Sequence, residues 1–255
     1  TIMASMSVTL FMNINSTVIR KEALLESAAE QSQVQVQLLA EHIERIVSNI
    51  DLNLSAVSTD LVNGDVLEVN AVSADFIIYY DPEGVRHIKT AYSTPTAVIE
   101  HILMSYRYHR DSLAELSFSS VSASSGRNDF LLITRSVYDS DERFKGVITA
   151  AIDPESFYSR YIDYETVNVN RIAVYDLSGK VIAAWPEKMT GGDTDISSLN
   201  SFSLSDRKKI LSPGLSIIMN KEVLVASYQT YTYPLRVSVL RDVDDILASW
   251  EESYR

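Results

Sequence analysis

From Ser16 to Val62 the chain contains neither proline nor glycine, and the first glycine of the whole sequence is Gly64. Within that stretch the apolar residues Val36, Leu39, Ile43, Ile46, Ile50, Leu54, Val57 and Leu61 recur three or four positions apart, the period of one helix face. The spacing predicts a single helix over 16–63, capped by Ser16 or Thr17 and stopped by Asn63-Gly64. At 1.5 Å per residue it would span roughly 60–70 Å, longer than a small domain is wide. Its second half carries a core-facing stripe. Its first half is rich in Glu and Gln with little apolar face, so it is expected to lean on another chain or to project toward something. Residues 1–15 are uncharged and largely apolar, which suits either an appended terminal segment or the outer end of a transmembrane helix.

After Gly64 the period changes from helical to alternating. FIIYY (76–80) and VRHIKTAY (85–92) read as strands joined by Asp81-Pro82-Glu83-Gly84, where proline sets φ for the turn and glycine supplies the left-handed residue that closes it. A helix is expected from about Pro95 to His109. Residues 117–126 hold six serines and Gly126, a loop or a weak edge strand. FLLITRSVY (130–138) and FKGVITAAI (144–152) form a second hairpin around the polar turn 139–142. Asp153-Pro154 then opens a short helix to Tyr161, with Asp153 as its N-cap.

The same order recurs. RIAVYDLSGKVIAAW (171–185) is a hairpin whose turn holds Gly179. A loop with Gly191-Gly192 follows, then EVLVASYQTY (222–231) and LRVSVLRD (235–242) around Pro234, then a helical tail. Tyr-Asp-Pro-Glu-Gly at 80–84 thus returns as Tyr-Asp-Leu-Ser-Gly at 175–179, and Ile152-Asp153 returns as Arg241-Asp242. Matched order of hairpin, loop, hairpin and helix marks two copies of one antiparallel α+β module.

Composition narrows the partners. The chain has 34 acidic against 22 basic residues, a formal charge of −12 that disfavours nucleic acid and anionic lipid. It has no cysteine, which removes disulfides, thiolate metal sites and cysteine nucleophiles and suits an oxidising compartment. Its four histidines show no zinc spacing, Asp193-Thr-Asp195 lacks the rest of a calcium loop, and no glycine-rich phosphate loop occurs. Ser205-Asp-Arg-Lys208 has the Ser-x-x-Lys spacing of some hydrolases without the partner motifs that chemistry needs. No cofactor, metal or catalytic residue is expected, and a hydrolase is the weakest of the readings.

"YHRDS" (108–112), "SGRNDFLLITRSVYDSDERFKGVITAAIDPESF" (125–157), "RIAVYDLSGKVIAAWPE" (171–187) and "YPLRVSVLRDVDDILASW" (233–250), behind a long helix, resemble the double Cache (PDC) sensor domains of bacterial histidine kinases and diguanylate cyclases. The resemblance implies a long N-terminal helix (16–63) and two PAS-like antiparallel modules, a membrane-distal one at 64–162 and a membrane-proximal one at 163–242. A C-terminal helix at 243–255 would lead to a second membrane helix. It implies the periplasmic part of an inner-membrane protein, sensing a small molecule in the distal module. Two departures matter. The position of the aspartate that grips an amino acid's ammonium in such domains is Ala151 here, and the Arg-x-Trp carboxylate grip around Arg107 is missing. A free amino acid is therefore disfavoured.

For the site itself, Tyr106, His109, Arg110 and Arg135 are the candidates, from a helix end and a facing strand. Arginine offers a permanently charged fork for a carboxylate, and Tyr and His add directional hydrogen bonds. Tyr79 and Tyr92 would line the walls. Asp153 suits a helix cap better than a ligand contact. The expectation is a ligand-sensing input domain, dimeric through its N-terminal helix. The alternative is an interaction module that docks a periplasmic binding protein and has no pocket of its own.

Overall fold

The computed structural model of the chain describes residues 2–63, 74, 76–89, 96–112, 114–123, 127–153, 171–177, 179, 181–185, 210–218 and 221–252. The first helix, α1 (Ile2–Asn63), is unbroken over 62 residues. It ends where the sequence predicts. It begins fourteen residues before the expected cap, because nothing in 2–15 interrupts a helix, so Ser16 and Thr17 lie inside it rather than at its end. Of the predicted stripe, Val36, Leu39, Ile43, Ile50, Leu54 and Val57 are buried, joined by Val47, while Ile46 and Leu61 are half-buried.

Two antiparallel sheets follow. The first holds β1 (Phe76–Tyr80), β2 (Arg86–Lys89), β3 (Leu116–Ala123), β4 (Arg127–Tyr138) and β5 (Phe144–Ile152), with α2 (Thr96–Ser112) between β2 and β3. The second holds β6 (Arg171–Asp176), β7 (Val181–Trp185), β8 (Ile210–Ile218), β9 (Lys221–Gln229) and β10 (Leu235–Asp242), and α3 (Val243–Glu252) ends the described chain. The strand orders are β2-β1-β5-β4-β3 and β7-β6-β10-β9-β8. They are one topology written twice, so the duplication read from the turn motifs holds. The serine-rich stretch is the edge strand β3. Strand β8 was not expected, and it contains Pro213 at an irregularity between Leu211 and Gly214, tolerable because it pairs on one side only. The expected helix after Pro154, the Gly191-Gly192 loop, Pro95, Tyr92 and Ser205–Lys208 lie outside the described residues.

Both sheets turn one face to α1. Ile77, Ile133, Ile148 and Ile152 of the first sheet and Ile172, Val174, Val237 and Val239 of the second enter one core with the α1 stripe. The opposite face of the first sheet packs on α2, through Ile78, Leu132, Val147 and Ala151 against Val98, Ile102 and Tyr106. The first half of α1 is not without partners, contrary to expectation. Leu25, Ala28 and Ala29 pack against Leu224 of β9 and Ile246 of α3; further along, in the second half, the Glu44 carboxylate accepts hydrogen bonds from the backbone N–H groups of Tyr231 and Thr232. The small alanines let the terminal helix approach closely, a signal easily missed beside the Glu and Gln around them.

The hairpin turns repeat in detail. Gly84 N–H donates to the Asp81 carbonyl (2.9 Å) and Val85 N–H to Asp81 Oδ1 (2.7 Å). Glu142 N–H donates to the Asp139 carbonyl (3.0 Å) and Arg143 N–H to Asp139 Oδ1 (2.9 Å). Gly84 takes φ 81° as the sequence demands, but Glu142 holds the same place at φ 60°, where a side chain is strained. Gly146 is constrained differently: at φ 134° a Cβ there would lie 2.1 Å from the Tyr80 carbonyl oxygen. Glu142→Gly should therefore raise stability in urea unfolding, by roughly 0.5 kcal/mol after the entropy cost of glycine. Gly146→Ala should lower it by about 3 kcal/mol or more, because backbone must move.

Candidate functional site

Strand β4 separates two environments. Alternate residues of a strand point to opposite faces, so Leu132, Thr134 and Ser136 face α2 while Ile133, Arg135 and Val137 face α1. On the α2 side a row of hydroxyls crosses three strands. Ser117 of β3 is opposite Thr134, and Thr134 is opposite Thr149 of β5. Thr134 and Thr149 are fully buried, and their hydroxyls bond each other at 3.0 Å. Ser119, two residues along β3, has a buried Oγ with no hydrogen-bond partner among the described residues. These hydroxyls form a buried polar floor on otherwise apolar strands, satisfied within itself and by His109 except at Ser119.

His109 closes one end of this floor. Its Nδ1 lies 2.8 Å from both the Ala114 carbonyl oxygen and Ser136 Oγ, and its Nε2 lies 2.6 Å from Ser117 Oγ. A carbonyl only accepts, so Nδ1 carries the proton and Nε2 accepts from Ser117. The ring is completely buried, and burial pushes its pKa below the usual imidazole value against the opposing pull of the Ala114 carbonyl. Tyr106, one helical turn earlier, is buried against Tyr80 with ring centroids 5.6 Å apart, and its hydroxyl donates to the Pro82 carbonyl at 2.9 Å.

The α1 side of β4 is charged and open. Arg135 Nη1 lies 3.3 Å from Asp51 Oδ1 of α1, and this oxygen makes no hydrogen bond among the described residues, so the contact is one of charge. Tyr233, from the turn between β9 and β10, donates to Asp51 Oδ2 at 3.4 Å and packs edge-on against Phe118 of β3. One α1 carboxylate thus meets both modules. Beside it a cavity of about 520 Å³ runs between Ser55, Ser58 and Thr59 of α1 and Arg135–Ser140.

The candidates named from sequence are therefore divided. Tyr106 and His109 share the α2 side. Arg135 is on the opposite face, and the idea that it joins them in one pocket fails because it sits one residue out of phase with Thr134 and Ser136 on a strand of period two. Tyr79 is also on the α1 side, its hydroxyl donating to the Lys145 carbonyl and its pKa pushed up to about 12 by burial and then by Asp81 and Glu83. Arg110 is exposed at the end of α2 and pairs with its neighbour Asp111 at 2.8 Å. Asp153 follows β5, half-buried. Sequence reading missed Asp51, Ser117, Thr134 and Thr149. Only strand register brings those hydroxyls into one row, and Asp51 reads as an ordinary helix-surface acid. Among the described residues no group of His, Asp or Glu is placed to hold a metal ion.

No family model matches the sequence, and no curated protein does. Solved structures do match. The extracellular domain of rpHK1S-Z16, assigned as a histidine kinase, is 21% identical with a TM-score of 0.65, over 89% of this chain and 99% of that one. The sensory domain of the Campylobacter jejuni chemoreceptor Tlp3, with isoleucine bound, is 15% identical with a TM-score of 0.56, over 89% and 97%. The ligand-binding domain of the Pseudomonas aeruginosa chemoreceptor PctB, in complex with L-Arg, is 9% identical with a TM-score of 0.65, over 86% and 97%. At such identities the likeness is one of fold: a long helix followed by antiparallel sheets, arranged as in these extracellular domains.

His109 gives the candidate site a measurable signature. Its folded pKa is depressed, so the unfolded chain takes up a proton that the folded chain resists. Stability is complete above the unfolded value of about 6.5 and falls as pH drops through it toward the folded pKa. Urea unfolding between pH 7.5 and 5 should show this loss, and His109→Gln should abolish it. The lowered carboxylates Asp81, Asp111 and Asp139 do not interfere, since their contributions are lost only in more acidic solution.

Proposed function

We propose that the chain, folded as extracellular sensor domains are, is the periplasmic input domain of a bacterial inner-membrane signalling protein, a histidine kinase or a diguanylate cyclase. A small polar molecule would bind in the distal module, over residues 64–162, and a cytoplasmic output would read it. The observation that carries this is the two-faced strand β4. Thr134 and Ser136 belong to the hydroxyl floor, while Arg135 between them holds α1 through Asp51. A ligand that binds the floor more tightly in one strand position than another shifts the Arg135–Asp51 contact, and differential affinity is the only way a ligand can do so.

The relatives' isoleucine and arginine do not transfer as ligands. Ala151 stands fully buried on the α2 face where an ammonium-gripping aspartate would be needed. Arg135 is engaged by Asp51, which weakens the case for a carboxylate in the distal module. The proposed contacts are the hydroxyls of Ser117, Ser119, Thr134 and Thr149, with Tyr106 and His109 at the margin. No reaction is assigned to them.

Membrane attachment is supported by packing. Leu25 and Ala28 of α1 meet Ile246 of α3, so both helices leave the second module, over residues 163–242, at the same end. Among the described residues no helix is itself long and apolar enough to cross a membrane. Dimerisation through α1 is supported by Val34, Leu38 and Leu52, which are exposed on one side of the rod. The second reading, docking of a binding protein, draws support from Met104 and Tyr108, exposed one turn apart on α2.

A thermal-shift screen with small polar molecules tests the site. A hit should lose its shift in Ser117→Ala/Thr134→Val and keep it, within about threefold in affinity, in Arg135→Ala. A response lost in Arg135→Ala alone would move the site to the α1 side. Absence of any hit, with a binding protein captured only when Met104 and Tyr108 are intact, would favour docking. For the dimer, light scattering at high concentration should show association, abolished by Leu38→Glu/Leu52→Glu.

A further inference from the structure

We propose a second ligand site, in the second module, for a small aliphatic monocarboxylate held by Arg236. It is independent of the distal reading. The two modules superpose in register as well as in topology. In the first, Tyr80 is opposite Val147 and Thr134 is opposite Thr149. In the second, Tyr175 is opposite Arg236 and Ser227 is opposite Ser238. The Tyr-Asp-x-x-Gly turns make Tyr175 the counterpart of Tyr80, and the strand ends at Asp153 and Asp242 make Ser238 that of Thr149 and Arg236 that of Val147. Both hydroxyl pairs face away from α1. The second module thus keeps the paired hydroxyls and places an arginine where the first has a valine.

Among the described residues no acid pairs with that arginine. Arg236 is 8% exposed, its Nε has no hydrogen-bond partner among the described residues, and its guanidinium carbon lies 5.9 Å from the Tyr175 ring centroid. By strand alternation the described acid on this face is Asp242. It lies six residues up the same strand, roughly 20 Å away, and is taken by Arg171 at 3.6 Å and Lys221 at 3.0 Å. Burying a charge without a partner is costly, and Arg171 shows how the same sheet pairs one when the charge is structural. The groups around Arg236 define the missing anion. Ser227, Ser238 and Tyr175 form a hydroxyl triangle, Ser227 to Ser238 at 2.5 Å and Tyr175 to Ser227 at 3.3 Å, whose long side can turn a proton outward. Next along the strands come buried Ala173, Val225 and Leu240. One positive charge, hydroxyl donors and an adjoining apolar surface match one carboxylate with a short alkyl tail better than a multiply charged oxyanion.

The test is calorimetric titration and thermal unfolding of the whole chain with acetate, propionate and butyrate, against acetamide and sulfate. Saturable binding of propionate, with none of acetamide, is expected, and Ser117→Ala/Thr134→Val should retain it. Arg236→Met should weaken it more than tenfold and raise Tm in carboxylate-free buffer, since it removes a buried unpaired charge. No propionate binding in the native chain, or binding that survives Arg236→Met, overturns the proposal. So does a lowered Tm of a folded Arg236→Met in carboxylate-free buffer, which would mean that an acid of the chain pairs with the arginine. If that variant does not fold, Ser227→Ala/Ser238→Ala decides: a tenfold loss supports the site, and unchanged binding overturns it.

Discussion

Everything in this molecule depends on the apolar stripe of α1. Val36 through Val57 supply one side of a core whose other side is drawn from two separate sheets. Each fully buried leucine or isoleucine there stabilises by roughly 2 kcal/mol relative to exposure, and the gain is shared between modules. Neither sheet could hide its α1 face alone. The rod therefore works as a common wall, and any axial or rotational displacement of it alters the packing of both modules at once. The helix is unbroken over its length, its hydrogen bonds satisfied within it, so both modules share one wall.

Against that apolar wall the polar contacts are few and placed at the seams. Asp51 stands where α1 passes from one module to the other, reaching Arg135 of the first and Tyr233 of the second. Both contacts are long and partly exposed, so each is worth little by itself. That weakness suits a joint. A strong buried ion pair would add to the hold of the apolar core on β4, whereas this weak pair adds little to it. The apolar core sets what is near what, and the polar seam adds the few directional contacts between the modules and the rod.

How much of this was legible in the sequence follows from what each feature requires. Periodicity alone gave the end of α1 and its buried face, since a helix stripe depends only on local spacing. The hairpins and their duplication were legible from the turns, because Gly84 and Gly179 mark backbone that few other residues adopt. Strand β8 was not, since Pro213 and Gly214 are breakers that only an edge position excuses. The site was least legible. Arg135 lies on the face opposite Tyr106 and His109, and one residue of phase decides which. Register between strands distant in sequence assembled Ser117, Thr134 and Thr149, and nothing local announces that.

Duplication explains why the same chain can offer two different surfaces on one plan. The α1-facing sides of both sheets are constrained by the shared core and stay apolar: Ile133 and Ile148 in one, Val237 and Val239 in the other. The outward faces are released from that constraint. In the first module the outward face is covered by α2, and Tyr106 of that helix lies over Tyr80. In the second, a guanidinium from the same sheet lies 5.9 Å from the ring centroid of the equivalent tyrosine. The helix brings apolar surface and a neutral imidazole, so a neutral partner costs least desolvation there. The arginine brings a fixed charge whose burial is costly unless it is compensated. Divergence of the outward faces, with the inward ones held fixed by the rod, is how two copies of one module come to differ in chemistry while remaining mechanically joined.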